Sequence, residues 1–482
     1  MTISRFLHKS YWVIIVLVVL WSIYSLPYSP IAWYDEVFFS SMSHSLLVGN
    51  GLALELDKNE PFYIYGPVYF VLTWVFTKIG GFGIVTFRLV NLLFSFGCVI
   101  VLGKILRRLQ ISSFFSCLIK LIFMTDVLFI SNGHSGRMEF VALFWILCAY
   151  LYWIRKGRLY YVFVSFFLTL AILTTPRSAV VAFPLAINVF IDMIKGKKGR
   201  QLLVYVSIPI VLYLAWIFSS YGSVDNFILS FSQTNGITQN ASLVQRFLGG
   251  NVYIPKWNIP LVFLSIVIVL DSFISKYFQS LFIYILPILF FYLFIYDTGL
   301  YSVYILPFYM IVLSFGYAQI KNRGTLFRNL YMGILIGCLI LNLGVLSMKS
   351  VLVLSTKEMR NPYTLSSWLS EKVPPHSRIV GSCEYYYAAI DNDCQFKKLF
   401  RDYTDADVVY NYLENTYKPQ YLFLSASEAD KDVLKNVERF KKVLIGQYSI
   451  GNELKKNSVI YKLFKNSTQS SYDGSLYKII SE

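Results

Sequence analysis

The hydrophobic pattern divides the chain into two parts. Apolar runs separated by short polar turns fill the first 348 residues. Each run approaches the roughly 20 apolar residues that a helix needs to cross a bilayer. The pattern predicts about eleven spans, at 11–27, 84–103, 111–131, 139–154, 159–175, 179–194, 201–220, 259–275, 278–296, 302–319 and 329–348. Only TTPRS separates 159–175 from 179–194, so these two could also be one broken unit.

A second pattern begins at about residue 350, where short helices and strands alternate and charges are frequent. The predicted elements are helices at 362–372, 405–414 and 427–438 and strands at 378–381, 420–424, 442–449 and 458–464. We therefore expect a membrane domain, 1–349, with an outer loop at 28–83, and a small α/β domain, 350–482. The second domain has no glycine-rich phosphate loop, so nucleotide binding is not predicted there.

Composition and charge agree with a membrane protein. The chain of 482 residues is 56% hydrophobic and 15% charged, whereas soluble domains carry roughly 25% charged residues. Basic residues concentrate in alternate loops. One set of loops carries sixteen: Arg5, Lys9, Lys104, Arg107, Arg108, Arg155, Lys156, Arg158, Lys195, Lys197, Lys198, Arg200, Lys276, Lys321, Arg323 and Arg328. The opposite set carries six: Lys58, Lys78, Arg137, Arg177, Arg246 and Lys256.

This charge bias sets the orientation, because cytoplasmic loops are the positive ones. The N-terminus is then cytoplasmic, and loop 28–83, which follows the first span, lies outside. An odd number of spans places the C-terminal domain outside as well. We expect an integral protein of the plasma (inner) membrane, surrounded by lipid. Basic membrane flanks account for much of the net charge of +16, so nucleic acid is not an expected partner.

The six cysteines fall into two groups. Cys98, Cys117, Cys148 and Cys338 lie in apolar spans and are predicted to be packing residues. Cys383 and Cys394 lie in the outer domain, within CEYYYAAIDNDC. An oxidising compartment permits a disulfide between them, and two unpaired thiols are the alternative.

The candidate chemistry lies on the predicted outer face. Asp35 and Glu36 follow the first span, and ionisable residues in or near a span are costly enough to need a reason. Arg88 lies a few residues inside the second span, where by itself it would be an interfacial side chain. Further charged or titratable residues come from the outer ends of other spans, namely His134, Arg137, Glu139 and Arg177. Their shared side of the membrane predicts one site built from distant loops.

Several segments resemble the GT-C membrane glycosyltransferases, most closely the branch of protein O-mannosyltransferases and lipid A aminoarabinose transferases. They are WYDEVFFSSMSHSLLVGNGL, NEPFYIYGPVYFVLTWVFTKIGGFG, FRLVNLLF, GRMEFVALFW and YSVYILPFY. The resemblance covers residues 1 to about 320. In one departure, relatives that modify lipid A tend to have Lys-Pro-Pro-Leu where this chain has Tyr65-Gly66-Pro67-Val68. The resemblance therefore does not transfer aminoarabinose specificity.

The resemblance implies a glycosyltransferase with a polyprenyl-phosphate-linked sugar as donor. Nucleotide sugars are not expected outside the cytoplasm, which favours the same donor. The acceptor would be a lipid, a glycan or a protein. Asp35 matches the general base that takes a proton from the acceptor hydroxyl, and Glu36 matches an acceptor- or metal-facing partner.

The remaining residues also receive roles from the resemblance. Arg88 and Arg137 match basic positions near the donor phosphate, and Arg177 matches a third one loosely. Glu139 matches the second acidic position, and His134 lies beside it in sequence as an acceptor- or metal-facing candidate. Cofactor use stays open, because Glu36 and Glu139 could hold a divalent cation but no close-spaced His/Glu motif points to a metal.

Two other functions fit parts of the pattern. A GT-C oligosaccharide ligase is the nearest enzymatic alternative. A secondary transporter would also have many spans and intramembrane charges, here Lys120 and Asp126. Transporters usually show internal repeats with paired broken helices, and the sequence shows none.

Overall fold

The structure, a computed structural model, is mainly helical. It describes residues 3–56, 65–228, 259–274, 278–295, 299–320, 324–399, 410–425, 439–449 and 471–480, with side chains from residue 11 onward. The helices before residue 360 are α1 Ile3–Ser25, α2 Tyr34–Leu47, α3 Pro67–Gly80, α4 Ile84–Arg108, α5 Ser113–Thr125, α6 Val127–Gly133, α7 Glu139–Arg155, α8 Tyr160–Thr174, α9 Ser178–Lys195, α10 Gly199–Tyr221, α11 Ile259–Ile274, α12 Phe278–Phe294, α13 Leu306–Ile320 and α14 Thr325–Ser355.

A helix, or the bent pair α5–α6, occupies the position of every predicted span. Within the described residues, four helices, α4, α9, α10 and α14, are long and apolar enough to cross a membrane, and the bent pair would make a fifth. Other apolar helices are shorter, such as α8 with 15 residues. The helices are therefore present where the apolar runs predict them, whereas the count of eleven crossings stays a prediction.

Two helix breaks have local causes. Thr175 is extended, with φ −154° and ψ 131°, because the residue before a proline is disfavoured in the helical region. Helices α8 and α9 are therefore separate, as the TTPRS segment predicts. Helices α5 and α6 meet at 57° around Asp126, whose carboxylate accepts a hydrogen bond from the Leu128 N–H at 2.8 Å and so caps α6.

The C-terminal domain contains a five-stranded mixed sheet. Its described elements are α15 Pro362–Lys372, β1 Arg378–Gly381, α16 Tyr386–Asp391, β2 Gln395–Lys398, β3 Tyr421–Ser425, β4 Lys442–Tyr448 and β5 Gly474–Ile479. The strand order is β2-β1-β3-β5-β4. Strand β1 pairs in parallel with β2 and β3, while β5 is antiparallel to both β3 and β4. The alternating helices and strands predicted for this part of the chain are therefore represented by a small five-stranded sheet and its helices in the described residues.

Most predicted elements of this domain match the structure. The predicted helix at 362–372 and strand at 378–381 have the observed bounds, and strands β3 and β4 lie within one residue of their predicted positions. Strands β2 and β5 were not predicted. The predicted helix at 427–438 and strand at 458–464, and most of the predicted helix at 405–414, lie outside the described residues.

The structure bears on the question left open for the two cysteines of the C-terminal domain. No disulfide joins Cys383 to Cys394, although both side chains are buried. The Cys394 thiol instead donates hydrogen bonds to the carbonyls of Pro374 and Asn392, at 3.6 and 3.5 Å. Spacing in the sequence showed that a bridge was permitted but could not show where each thiol points.

The C-terminal domain shares a hydrophobic core with the outer loop. Val37 and Phe39 of α2 belong to the same buried cluster as Tyr385 and Phe396 of the domain. Backbone contacts reinforce the junction. The Ala32 N–H donates to the Tyr472 hydroxyl at 3.1 Å, the Lys398 N–H to the Leu56 carbonyl at 2.9 Å, and the Lys397 ammonium to the Glu55 carbonyl at 2.6 Å. The domain thereby fixes the segment from which α2 begins.

Candidate active site

Helix α2 presents two carboxylates in its first turn. The helix begins at Tyr34, directly after the extended residue Trp33, so Asp35 and Glu36 lie where the helix dipole favours negative charge. Successive residues of an α-helix point about 100° apart, because there are about 3.6 residues per turn. The two neighbouring acids consequently face different surroundings.

Glu36 makes a completely buried ion pair with Arg88 of α4. Both side chains have 0% exposure, and the guanidinium donates from Nε and Nη2 to the two carboxylate oxygens, each at 2.7 Å. The third guanidinium nitrogen, Nη1, donates to the Leu26 carbonyl at 2.7 Å. Glu36 also accepts the Gly136 N–H at 2.8 Å. This pair joins the end of α1, the start of α2, α4 and the loop before α7.

This geometry shows a closed pair, whereas the expected roles of both residues, which stay predictions, require contact with a ligand. Each nitrogen of the Arg88 guanidinium donates one hydrogen bond to a protein oxygen, and the side chain has 0% exposure, so the structure shows it closed to solvent. Both oxygens of Glu36 also accept hydrogen bonds from the protein, so the carboxylate does not face an open site. Burial and pairing, which the sequence could not show, account for the difference.

Asp35, by contrast, belongs to a partly open cluster. Its carboxylate is 36% exposed and pairs with Nη1 of Arg137, a residue of the loop between α6 and α7. The other two nitrogens of Arg137 donate to Glu139 at 3.0 and 2.5 Å. Arg137 is 3% exposed, and burial would lower its pKa, but Glu139 and Asp35 together raise it. Arg137 is therefore a fixed positive charge between two acids.

Tyr301 brings a second arginine to this cluster. The centre of the Arg137 guanidinium lies 5.1 Å from the Tyr301 ring and 5.2 Å from the Trp33 ring. The Arg177 guanidinium lies 4.2 Å from the same Tyr301 ring. Cation–π contacts of this kind favour a charge held over an aromatic face. Three loops, those before α7, α9 and α13, are thus brought together around one ring.

The sequence analysis gave no role to three tyrosines at the site. Burial raises the pKa of Tyr65, with Arg177 opposing and Asp35 adding to the shift, so this phenol lies among the same charges. Tyr65 occupies the place of the lysine expected in lipid A relatives. The hydroxyls of Tyr69 and Tyr304 are buried, interact with the charges of Glu139 and Arg137, and have no hydrogen-bond partner in the described part of the chain. The segments that carry the family resemblance contained all three residues.

His134 lies apart from the acids. Its side chain is buried and its Nε2 has no hydrogen-bond partner among the residues that the structure describes. Burial, followed by the positive charges of Arg88 and Lys349, lowers the pKa of His134 to about 3. The imidazole is therefore neutral at ordinary pH, and it lines a separate cavity of about 410 Å³.

The described residues contain no group of three or more His, Cys, Asp or Glu side chains that could hold a metal ion. Asp35 and Glu139 are bridged by the Arg137 guanidinium. The Oε2 atom of Glu139 is buried and has no hydrogen-bond partner within the described ranges. The cluster can therefore offer a carboxylate base, two guanidinium cations and several polar groups to a ligand.

Comparison with known proteins identifies the fold. The chain aligns with ArnT from Cupriavidus metallidurans in the apo state at a TM-score of 0.60 and 12% identity, over 98% of both chains. The structure of the same protein bound to undecaprenyl phosphate aligns at a TM-score of 0.61 and 11% identity, over 96% of this chain and 97% of that one. The oligosaccharyltransferase of Archaeoglobus fulgidus, in complex with zinc and sulfate, aligns at a TM-score of 0.47 and 10% identity. That alignment covers 90% of this chain and 72% of the other.

No family model and no curated protein sequence matches the chain. At identities of 11–12% the ArnT comparison shows the fold alone. The resemblance to GT-C membrane glycosyltransferases is therefore confirmed as a likeness of fold, and the apolar helices support an integral membrane protein.

Proposed function

We propose that the protein transfers a sugar from a polyprenyl-phosphate carrier to an acceptor at the outer face of the plasma membrane. The observation that carries this proposal is that Arg137 and Arg177, from two separate loops, both lie against the Tyr301 ring, while Arg137 also pairs with Asp35 at the start of α2. The fold supports the same class of donor, since ArnT was crystallised with undecaprenyl phosphate. The positive-inside rule supports the outward orientation and the eleven crossings.

The first chemical requirement is a base. The Asp35 carboxylate would remove the proton from an acceptor hydroxyl as its oxygen attacks the anomeric carbon of the sugar. The bond between that carbon and the phosphate oxygen breaks, and the electron pair leaves with the phosphate. Asp35 suits this step because it is the acid of the cluster with the most exposed side chain, at 36%.

The second requirement is a cation for the departing phosphate. Arg177 is exposed at the start of α9, and no carboxylate lies within salt-bridge distance of it in the described ranges. Its guanidinium would therefore be the principal phosphate ligand, with the bidentate geometry that phosphate favours. Arg137 would supply further positive potential, although Asp35 and Glu139 already neutralise much of it.

The sugar itself needs polar partners. Glu139 Oε2 and the Tyr69 and Tyr304 hydroxyls are buried and without hydrogen-bond partners in the described residues. Buried polar atoms are nearly always hydrogen-bonded, so three such atoms in one cluster are well placed for sugar hydroxyls. We assign Glu36 and Arg88 a positioning role, because their buried pair fixes the turn of α2 that aims Asp35.

A divalent cation could replace Arg137 between Asp35 and Glu139 only by displacing its guanidinium. A chelator therefore tests metal use directly, and loss of transfer that added Mg²⁺, Mn²⁺ or Zn²⁺ restores would establish it. The acceptor also remains to be identified. Mass spectrometry of cell-surface glycans and lipids, with and without the protein, would distinguish a single-sugar transferase from an oligosaccharide ligase.

The decisive experiment tests the class of donor. Purified protein is supplied with a polyprenyl-phosphate sugar and, separately, with nucleotide sugars, together with an extract of cell-envelope acceptors. We expect transfer from the lipid-linked sugar alone. Turnover of a nucleotide sugar would contradict the proposal, as would unchanged use of the lipid donor after both Arg137→Ala and Arg177→Ala.

A further inference from the structure

A cavity of about 680 Å³ lies between α4, α7 and α8, far from the Asp35 cluster. Its lining residues on α4 run from Gly97 to Arg108, whereas Arg88 lies near the start of that helix. Lys104 follows Arg88 by sixteen residues, a distance of about 24 Å along the helix axis at 1.5 Å per residue. The proposed transfer reaction therefore gives this cavity no role.

One face of each of two helices forms most of the cavity wall. On α4, Gly97, Ile100, Lys104 and Arg107 follow one another at intervals of three or four residues, and α7 contributes residues between 144 and 155 at similar spacing. Residues three or four apart lie on the same side of a helix. The cavity is therefore an elongated space that runs along both helices towards their C-terminal ends.

The end of the cavity away from the helix C-termini is apolar. Ile100, Phe144 and Phe167 supply aliphatic and aromatic wall there, and the Cys148 thiol is the polar side chain nearest to them among the described lining residues. The absence of a side chain at Gly97 shapes this end, since a Cβ atom there would lie 2.9 Å from two carbons of the Phe144 ring. This part of the cavity therefore suits hydrocarbon.

The other end of the cavity is lined by four cations. They are Lys104, Arg107 and Arg108 in the last turns of α4 and Arg155 in the last turn of α7. All four are exposed, and no carboxylate lies within salt-bridge distance of them in the described ranges. The C-terminal ends of the two helices offset about one unit of this charge, which leaves a net positive charge of about three.

A ligand that fits both ends joins negative charge to hydrocarbon. Inorganic phosphate or a nucleotide would pair with the cations but would leave the apolar end unfilled. A peptide would bring backbone N–H and C=O groups that need hydrogen-bond partners, which the apolar end does not provide. An acyl chain needs none, and basic pockets between membrane helices are known to hold anionic lipid head groups.

We propose that this cavity binds a phospholipid whose head group bears two phosphates. The phosphates would lie among the four cations, and an acyl chain would lie along Phe144 and Phe167. Two phosphates match a net charge of about three better than the single charge of phosphatidylglycerol does. The cations belong to loops that are predicted to be cytoplasmic, so the lipid would come from the leaflet opposite to Asp35.

Native mass spectrometry can count the bound lipid molecules. Full-length protein, delipidated in uncharged detergent, is titrated with cardiolipin, phosphatidylglycerol and phosphatidylcholine. We expect one cardiolipin to bind, phosphatidylglycerol to bind about tenfold more weakly because one phosphate–cation contact is lost, and phosphatidylcholine to bind most weakly. Equal affinities for cardiolipin and phosphatidylglycerol would overturn the assignment of two phosphates. Displacement of cardiolipin by an equal concentration of inorganic phosphate would overturn the assignment of a lipid.

A double variant tests the charged end of the cavity. Lys104→Gln combined with Arg155→Gln removes one cation from each helix, and we expect cardiolipin affinity to fall about tenfold or more. Arg158→Gln combined with Lys198→Gln is the matched control, because it removes the same charge from exposed residues of the same predicted side that do not line the cavity. Equal losses in the two double variants would overturn the proposal, since surface charge alone would then explain binding.

A single variant tests the apolar end and keeps all four cations. Ile100 is 60% exposed, so Ile100→Trp can fill part of the cavity without repacking the core, and we expect it to weaken cardiolipin binding. Leu93→Trp, at a residue of α4 that is 48% exposed and outside the cavity, is its control. Cardiolipin affinity that is unchanged in Ile100→Trp would overturn the placement of the acyl chain.

Thermal unfolding gives a second readout of the same site. A ligand that binds only the folded protein raises its unfolding temperature, so cardiolipin should raise Tm in the wild type and less in Lys104→Gln/Arg155→Gln. The lipid-free Tm of each variant shows whether its fold is intact. None of these measurements needs turnover, so failure of sugar transfer from a polyprenyl-phosphate donor would leave the lipid site standing. Equal increases in Tm for the wild type and the double variant would contradict it.

Discussion

Asp35 and Glu36 are neighbours in the sequence, yet their surroundings differ almost completely. Glu36 and its partner Arg88 have 0% exposure, and each of their hydrogen-bonding atoms is satisfied by protein. Asp35 is 36% exposed and shares its partner, Arg137, with Glu139. One helical turn thus supplies a sealed pair, Glu36–Arg88, that fixes the position of α2, and an open pair, Asp35–Arg137, that solvent can reach.

The difference shows how charge can serve structure and chemistry side by side. A buried ion pair pays back its desolvation only when its geometry is excellent, and breaking it leaves an uncompensated charge. Because neither side chain can leave the other without this cost, such a pair is suited to holding two helices in a fixed position. The open pair keeps a carboxylate in contact with solvent, where it can accept a proton from a substrate.

The largest effect should come from the open acid. Asp35→Asn removes the base but leaves Arg137 paired with Glu139, so the fold should persist while transfer falls roughly 10²–10⁴-fold. The measurement is turnover of a polyprenyl-phosphate sugar, with thermal unfolding of the same sample as a check. Asp192→Asn, at an exposed ion pair, is the control. Full activity of Asp35→Asn would remove Asp35 from the mechanism.

Breaking the sealed pair should instead affect stability. Arg88→Met leaves Glu36 buried without its partner, and we expect the free energy of unfolding to fall by roughly 3–5 kcal/mol. Lys156→Met breaks an exposed pair, 49% and 44% accessible, and should cost at most about 1 kcal/mol. Unfolding in detergent compares the two. Equal losses of unfolding free energy in the two variants would show that the Glu36–Arg88 pair does not hold these helices together.

Substitutions at Arg177 can distinguish the effect of the guanidinium geometry from the effect of its charge. Arg177→Lys keeps the charge but loses the planar guanidinium that lies over Tyr301 and can hold phosphate bidentately. We expect KM for the lipid donor to rise about tenfold in Arg177→Lys and further in Arg177→Ala, with unfolding unchanged because the residue is exposed. Identical donor KM values for wild type and Arg177→Lys would argue against a phosphate fork at this position.

Acidification should weaken the fold through His134, which is buried near Arg88 and Lys349. Burial and the charges of Arg88 and Lys349 lower the pKa of His134 from 6.5 to about 3, so the unfolded chain gains this proton before the folded protein does. Stability should therefore be complete above pH 6.5 and fall as pH decreases from there towards 3, by at most about 1.4 kcal/mol per pH unit. Unfolding between pH 7.5 and 5 measures the slope. His134→Gln should flatten it, and an unchanged slope would contradict the assignment.

Much of the fold could be predicted from the sequence because apolar runs and alternating patterns are local signals. They placed a helix at each predicted span, and they placed α15, β1, β3 and β4. Strand β2 was missed because Gln395–Lys398 is short and carries two lysines, so it offers little hydrophobic alternation. Its place in the sheet depends on parallel pairing with β1, which is a tertiary contact.

The site was predicted in part for the same reason. Loop positions and the family resemblance put Asp35, Arg137, Glu139 and Arg177 on one face, and these are the residues that the structure brings together. The sequence could not distinguish Arg88 from the other arginines, because only packing shows which guanidinium is sealed.

The hydrogen bond between Ala32 and Tyr472 also has a consequence for the order of synthesis. Tyr472 is made 440 positions after Ala32, a delay of roughly 20–90 s at ordinary rates of translation. The turn of α2 that carries Asp35 therefore leaves the ribosome long before the residue that fixes its start. Throughout this interval a nascent chain carries Asp35 without the hydrogen bond that holds the start of α2.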